Sequence, residues 1–177
     1  MKISDIQSNE YTKEYSSANA VYLAQLPKEL ELLKSFQTDY SAILELFESV
    51  PSDKWNYRYA PGKWSLKEVL QHLIDTERIF IYRCFRIARH DNTPLMPFEQ
   101  DDYILPSRAT AKSVVDLKEE FIAVRQNSIV LLKSLCDTDL KFIGIVNGHP
   151  LSARAAAFNI IGHNMWHIRI IKERYLQ

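Results

Sequence analysis

Four stretches of this chain place apolar residues three or four apart, a period that admits little except amphipathic helices. In the first, from Lys28 to Val50, the stripe is Leu30, Leu33, Phe36, Tyr40, Ile43, Leu44 and Phe47. Pro27 reads as a first-turn proline, and Pro51 ends the run. The second opens on Ser65-Leu66-Lys67-Glu68, a capping box in which the Ser and Glu side chains satisfy free N–H groups. It continues through Val69, His72, Leu73, Thr76, Ile79, Phe80 and Arg83 to about His90, and Asp91-Asn92-Thr93-Pro94 stops it. The third repeats the capping signature at Ser113-Val114-Val115-Asp116 and runs to about Cys136, with Leu117, Phe121, Val124, Ser128, Leu131 and Leu132 or Leu135 as its stripe. The fourth spans about Ser152 to Tyr175, with no proline and one glycine, Gly162. Four such helices in 177 residues most simply make an all-α four-helix bundle.

The connections are less regular. Residues 1–26 are polar and rich in Tyr and Ser, with Tyr11, Tyr15 and Tyr22 in no clean period, and read as an extended arm packing on the bundle of residues 27–177. Ser52 to Lys63 reads as an ordered loop with a Pro61-Gly62 turn. Residues 94–112 carry Pro94, Pro97 and Pro106 and the acids Glu99, Asp101 and Asp102, and read as a long crossover loop between the second and third helices. Such a loop leaves the up-down order of the bundle open. Phe142 to Gly148 fits a short strand and a turn.

Composition excludes several roles. The 22 Lys and Arg residues balance 22 Asp and Glu, so there is no basic excess to displace counterions from nucleic acid. No apolar run reaches 18 residues, so no membrane span is expected. Met1-Lys2-Ile3-Ser4-Asp5 lacks the apolar core of a secretory signal. Cys84 and Cys136 stand alone and suit two semi-buried thiols in a reducing cytoplasm better than a disulfide framework.

The chemistry concentrates on three histidines. His163 and His167 are four residues apart and so share one face of the fourth helix, which continues through Ile160 and Ile170. His72 lies on the apolar stripe of the second helix between Val69 and Thr76. All three imidazoles are expected in the interior, where each unsatisfied group costs roughly 1–3 kcal/mol. Two solutions stay open: core histidines with ordinary hydrogen-bond partners, or a shared divalent metal built from inward side chains on facing helices. Three neutral imidazoles suit Zn, Ni, Fe or Cu better than Ca or Mg, and three protein ligands leave a position for water. The segment His-Asn-Met-Trp-His lacks the glutamate of the protease motif H-E-x-x-H.

Ala60-Pro61-Gly62-Lys63-Trp64-Ser65, then His72-Leu73-Ile74-Asp75-Thr76-Glu77-Arg78, then Gly162-His163 through His167 together resemble the DinB-like family and its YfiT-type relatives, over roughly residues 27–177. The resemblance implies a four-helix bundle holding a divalent metal, nickel or zinc foremost with iron or manganese as alternatives, on His72, His163 and His167. It implies a small-molecule substrate, a homodimer, and either metal-dependent hydrolysis or transfer chemistry on a low-molecular-weight thiol. Many relatives carry an acid directly after the first histidine of the last pair and another histidine just before the second; here those places hold Asn164 and Trp166. No catalytic residue is named by this pattern. A non-catalytic bundle that binds a metal or ligand, or that dimerises, is the alternative.

Four further residues are candidates around such a site. Asp75, three after His72, is placed to orient a ligand histidine, or is a solvated carboxylate; Glu77 points away and is the poorer choice. Arg83 would bind an anionic substrate or else pair with the Glu99/Asp101/Asp102 loop. Tyr103 approaches the site if the crossover loop covers its mouth, and Asn164 adjoins His163. Cys84, twelve residues from His72, is about 18 Å along the helix and too far. Trp55, Trp64 and Trp166 are expected to pack, and His90 and His149 to lie on the surface.

Overall fold

All four long helices form, three of them opening where their caps and stripes place them. The structure, a computed structural model, describes residues 1–6 and 13–177. Helix α1 is Ser17–Leu23, α2 Leu32–Ser49, α3 Leu66–Ala88, α4 Asp101–Ser107, α5 Val114–Lys133, α6 Asp137–Leu140 and α7 Ala153–Ile170. At the start of α3 the Glu68 carboxylate accepts from the Ser65 N–H at 2.6 Å, and the Glu68 N–H donates back to Ser65 Oγ at 3.4 Å. Ser113 and Asp116 do the same for α5 at 3.3 and 3.0 Å. Ser152 caps α7 through the Ala155 N–H at 3.1 Å. Helix α7 runs on into a π-helical turn, Ile171–Tyr175, which the Tyr175 hydroxyl ties to the Trp64 carbonyl at 2.8 Å.

The bundle is α2, α5, α3 and α7 in ring order, each packed on the next, so the consecutive helices α2 and α3 occupy diagonal corners. An apolar cluster fills each end. One gathers Ile43, Phe47, Trp55, Leu66, Leu70, Leu117 and Phe121; the other gathers Phe36, Phe80, Ile87, Leu132, Phe158 and Ile161. Every bundle helix passes from one cluster to the other across buried polar residues: Asp39 on α2, His72, Thr76 and Glu77 on α3, Arg125 and Ser128 on α5, and Asn159, His163, Asn164 and His167 on α7. The core is therefore divided by a polar layer, and the candidate site lies in it.

The connections depart from the sequence reading in four places. The arm is not extended throughout, because Ser17–Leu23 is helical. Seven residues are too few to show a period, and the helix leans on α7 at Gly162, where a Cβ would stand 2.5 Å from the Tyr22 carbonyl oxygen. Tyr11 lies outside the described residues. Helix α2 begins at Leu32 rather than Lys28: Leu30 N–H bonds to the Pro27 carbonyl in a turn, and the N-terminal residues pair with that turn through Ile3 N–H to Leu30 O and Leu32 N–H to Met1 O. The crossover between α3 and α5 is partly helical, holding α4 and a 3-10 turn at Ala109–Ala111. The expected single strand is a hairpin, β1 Ile143–Val146 against β2 His149–Ser152, turned by Asn147 and Gly148 at φ 50° and 74°. The thiols are not semi-buried: Cys84 is fully enclosed and Cys136 exposed. No helix among the described residues is long and apolar enough to cross a membrane.

Candidate metal centre

Helices α3 and α7 bring His72, His163 and His167 together, with one ring nitrogen from each lying within 4.8 Å of the others. All three side chains are buried. Ring centroids are 4.8 Å apart for His72 and His163, 4.9 Å for His72 and His167, and 4.5 Å for His163 and His167. The Nε2 atoms of His72 and His163 are 3.0 Å apart. Two nitrogens held on one ion at about 2.0–2.1 Å stand roughly 3 Å from each other, so this spacing fits a shared divalent cation. Burial lowers the His72 imidazole to about 4 and, with help from His72, His167 to about 3. His163 is pushed well below its ordinary value by the same desolvation and by the two neighbouring rings, against a smaller opposing effect from Asn164. Near neutral pH all three therefore keep a lone pair for a ligand bond.

Aromatic rings enclose the cluster. Trp64 leans on His72 with centroids 4.8 Å apart, Trp166 meets His167 edge-on at 4.7 Å, and Tyr22 of α1 meets His163 at 5.2 Å. The tryptophans read as packing residues thus include two that wall the site. A cleft of about 330 Å³ opens beside His167 between Tyr22, Tyr59, Trp64, Trp166 and Tyr175, with Lys63, Gln100 and Asp101 on its lining. Gln100 and Asp101 come from the crossover, which therefore does border the mouth.

The other candidates are spread around this centre. Asp75 accepts from Gln71 at 3.1 Å and Arg78 at 3.0 Å. It is Thr76, read from the sequence only as part of the stripe, that reaches the His72 Nδ1, with Oγ1 at 3.4 Å. Its signal was the one-turn spacing from His72. Arg83 makes no ion pair with the acidic loop; it donates to the Met96 carbonyl at 3.1 Å and stacks over Phe80 and Phe98. The carbonyl is a backbone group of the same crossover, so the loop is held without its acids. Tyr103 is half exposed and packs on Phe98 at 5.7 Å, on the Arg83 side rather than at the histidines. Asn164 turns to α2, where its Nδ2 donates to Asp39 at 2.8 Å. His90 and His149 are exposed, as expected.

Beside the histidines the polar layer holds a buried ionic node that no local pattern announces. Arg125 on α5 is fully enclosed and donates from Nε and Nη2 to Glu77, from Nη2 to Asp39 at 2.8 Å, and from Nη1 to the Phe36 carbonyl at 3.0 Å. Desolvation raises the Asp39 carboxyl, while Arg125 and the Asn164 amide oppose that rise. Glu77 thus points into this node and away from His72. Among the described residues no carboxylate joins the three histidines.

The sequence profile of the DinB superfamily matches residues 35–171, a span that includes all three histidines and most of all four bundle helices. The chain belongs to the DinB superfamily. Two solved structures share the DinB-like fold. YfiT from Bacillus subtilis, described as a probable metal-dependent hydrolase with an unusual four-helix bundle topology, superposes with a TM-score of 0.70 at 15% identity, covering 97% of this chain and 94% of YfiT. A mycothiol-dependent maleylpyruvate isomerase superposes with a TM-score of 0.64 at 12% identity, over 83% of this chain; the match spans 61% of the isomerase. Among curated proteins none matches the sequence.

Proposed function

We propose that this DinB-superfamily chain binds one divalent ion, zinc or nickel foremost with iron or manganese as alternatives, through His72, His163 and His167, and uses it on a small-molecule substrate. The observation that carries the reading is the buried, uncharged three-imidazole cluster opening onto a cleft. Burying three histidines against one another leaves ring nitrogens facing each other, and a cation is the partner that suits them all. A bound divalent ion supplies a Lewis acid that brings the proton of a coordinated water or thiol within reach of neutral pH.

The chain's own groups shape the surroundings of that ion. The three imidazoles hold neutral nitrogens in place without needing to lose protons. Trp64, Trp166 and Tyr22 shield the cluster from bulk water and leave approach through the cleft beside His167. The flat aromatic walls accept an apolar or planar body, and Lys63 and Asp101 offer one charge of each sign at the lining. Similarity to a mycothiol-dependent isomerase favours a low-molecular-weight thiol as co-substrate, and similarity to YfiT favours hydrolysis. The proposal includes a cytoplasmic homodimer.

A second reading has its own support. Among the described residues no carboxylate stands within ligand distance of the three histidines. A protein that binds a metal or ligand without turnover would need none. Metal-loaded protein should be screened with small thiols plus electrophiles, and with ester and amide substrates. Turnover that chelation abolishes and His72→Ala lacks would support the enzyme. Stoichiometric metal with no turnover across both screens would sink it in favour of the binder.

A further inference from the structure

We propose that Arg83 is an anion site: its guanidinium holds the carboxylate of a small-molecule ligand in the cavity between α1, α3 and the β hairpin. The inference goes beyond the metal reading and does not rest on it. Three arginines among the described residues are more than nine-tenths buried, Arg83, Arg125 and Arg154. Arg125 is neutralised by Glu77 and Asp39, and Arg154 by Glu14. Arg83 is 8% exposed and has no carboxylate partner among the described residues. Its one hydrogen bond goes to the Met96 carbonyl at 3.1 Å, which leaves most of its N–H fork unengaged. The guanidinium carbon stands 5.4 Å from the Phe80 ring and 5.5 Å from the Phe98 ring. Glu99, Asp101 and Asp102 are close in sequence and do not come to it. A buried cation without a counter-charge is costly to the fold, so a chain that keeps one has a use for it.

The cavity suits such a ligand. It measures about 310 Å³, and no Asp or Glu lines it. Arg83 is joined there by the neutral polar groups of Ser17, Asn19 and Asn147, while Phe80 and Phe98 give it apolar wall. One fixed charge among hydroxyls and amides matches a monoanion, and the planar fork matches a carboxylate edge to edge. Arg83 also borders a second cleft, of about 490 Å³, under the crossover. The other two arginines of that cleft are already taken, Arg78 by Asp75 and Glu120 and Arg86 by Asp91. The first cavity is also the one beside the histidines. Tyr22 lines both it and the cleft at His167, and Tyr22 and Phe80 each meet the His163 ring, with centroids 5.2 and 6.4 Å away. A carboxylate on Arg83 would therefore sit next to the metal centre, across Tyr22 from its cleft.

The test uses the full chain, kept metal-free so that no carboxylate can bind through an ion. Benzoate, an aromatic monocarboxylate, and benzamide, its neutral counterpart, are titrated by calorimetry and by NMR of the protein's side chains. Benzoate is expected to bind and to shift the signals of Tyr22, Phe80 and Asn147, and benzamide to bind about tenfold more weakly or worse. Arg83→Met is expected to bind benzoate about 10–100-fold more weakly than wild type. It should also unfold at the same or a higher urea concentration, because an uncompensated buried cation has been replaced by an apolar chain of similar length. Arg83→Lys, which keeps the charge without the planar fork, should fall between the two. Should Arg83→Met not fold, the comparison of benzoate with benzamide on wild type and Arg83→Lys decides. No benzoate binding by wild type, equal binding of benzoate and benzamide, or wild-type affinity in Arg83→Met overturns the inference. Shifts at Tyr82 and Tyr103 with none at Tyr22 or Asn147 place the anion in the other cleft and overturn it too. None of these outcomes bears on the metal reading, which metal uptake alone decides.

Discussion

Replacing Arg125 with Met should cost the fold about 3–5 kcal/mol, the range measured when one member of a buried ion pair is removed. The structure puts this site in that class. Arg125 is fully buried, Glu77 and Asp39 are 1% and 6% exposed, and three of the four bundle helices contribute a charged group. Methionine fills most of the arginine stem between Phe36 and Phe121, whose rings lie 5.0 and 5.3 Å from the guanidinium carbon, so little of the loss is a cavity. What remains is two carboxylates and the Phe36 carbonyl in a desolvated layer with no cation. Each carboxylate must then take up a proton or stay buried with its charge, and desolvation already pushes Asp39 upward. Urea unfolding at neutral pH measures the loss, and a double-mutant cycle with Glu77→Gln assigns it. Glu77→Gln should cost much less in the Arg125→Met background than in wild type, because the partner it loses is already gone. A loss under about 1 kcal/mol for Arg125→Met, or no coupling in the cycle, would refute the reasoning.

Three other outcomes rest on single contacts. Gly162→Ala should gain about 1 kcal/mol of helix propensity and lose more to overpacking, typically about 1–3 kcal/mol, since its Cβ meets the Tyr22 carbonyl oxygen at 2.5 Å; lower stability together with faster proteolysis near α1 would show it, and a more stable variant would contradict it. Burial alone would raise the Glu120 carboxyl, but hydrogen bonds from Lys112, Arg78 and Gln71 outweigh it and bring it down from 4.5 to about 2. That folded-state depression gives stability that is present above the unfolded pKa and is lost as pH falls from about 4.5 towards 2, so Glu120→Gln should flatten acid unfolding in that window. Burial pushes the Cys84 thiol up to about 12; mass spectrometry after alkylation of the native protein should find the exposed Cys136 modified and Cys84 untouched until the chain is unfolded.

The long helices were legible because what fixes them is local. Ser65 and Glu68, or Ser113 and Asp116, are three residues apart and cap their helix whatever packs on it. The two histidine stripes were legible for the same reason, and two inward stripes on different helices brought three ligands to one point. Helix α1 was not, since its support is the close approach to Gly162, about 140 residues on in sequence. The start of α2 was displaced by pairing with Met1 and Ile3, a contact no window around Pro27 contains. The ionic node was invisible for a related reason: Arg125 beside the stripe of α5 looks like a solvated charge until Glu77 and Asp39 arrive from two other helices. Thr76 sits one turn from His72, but a Thr on an inward face looks like packing until the neighbouring ring nitrogen is located.

The central claim is that the three imidazoles hold one divalent ion, and elemental analysis of tag-free protein tests it most directly. After incubation with Zn²⁺ or Ni²⁺ and removal of the excess, the wild type should retain close to one ion per chain, and His163→Ala, folded by circular dichroism, should retain little. Equal metal in the two proteins, or none in the wild type, would contradict the account and leave His72, His163 and His167 as core residues.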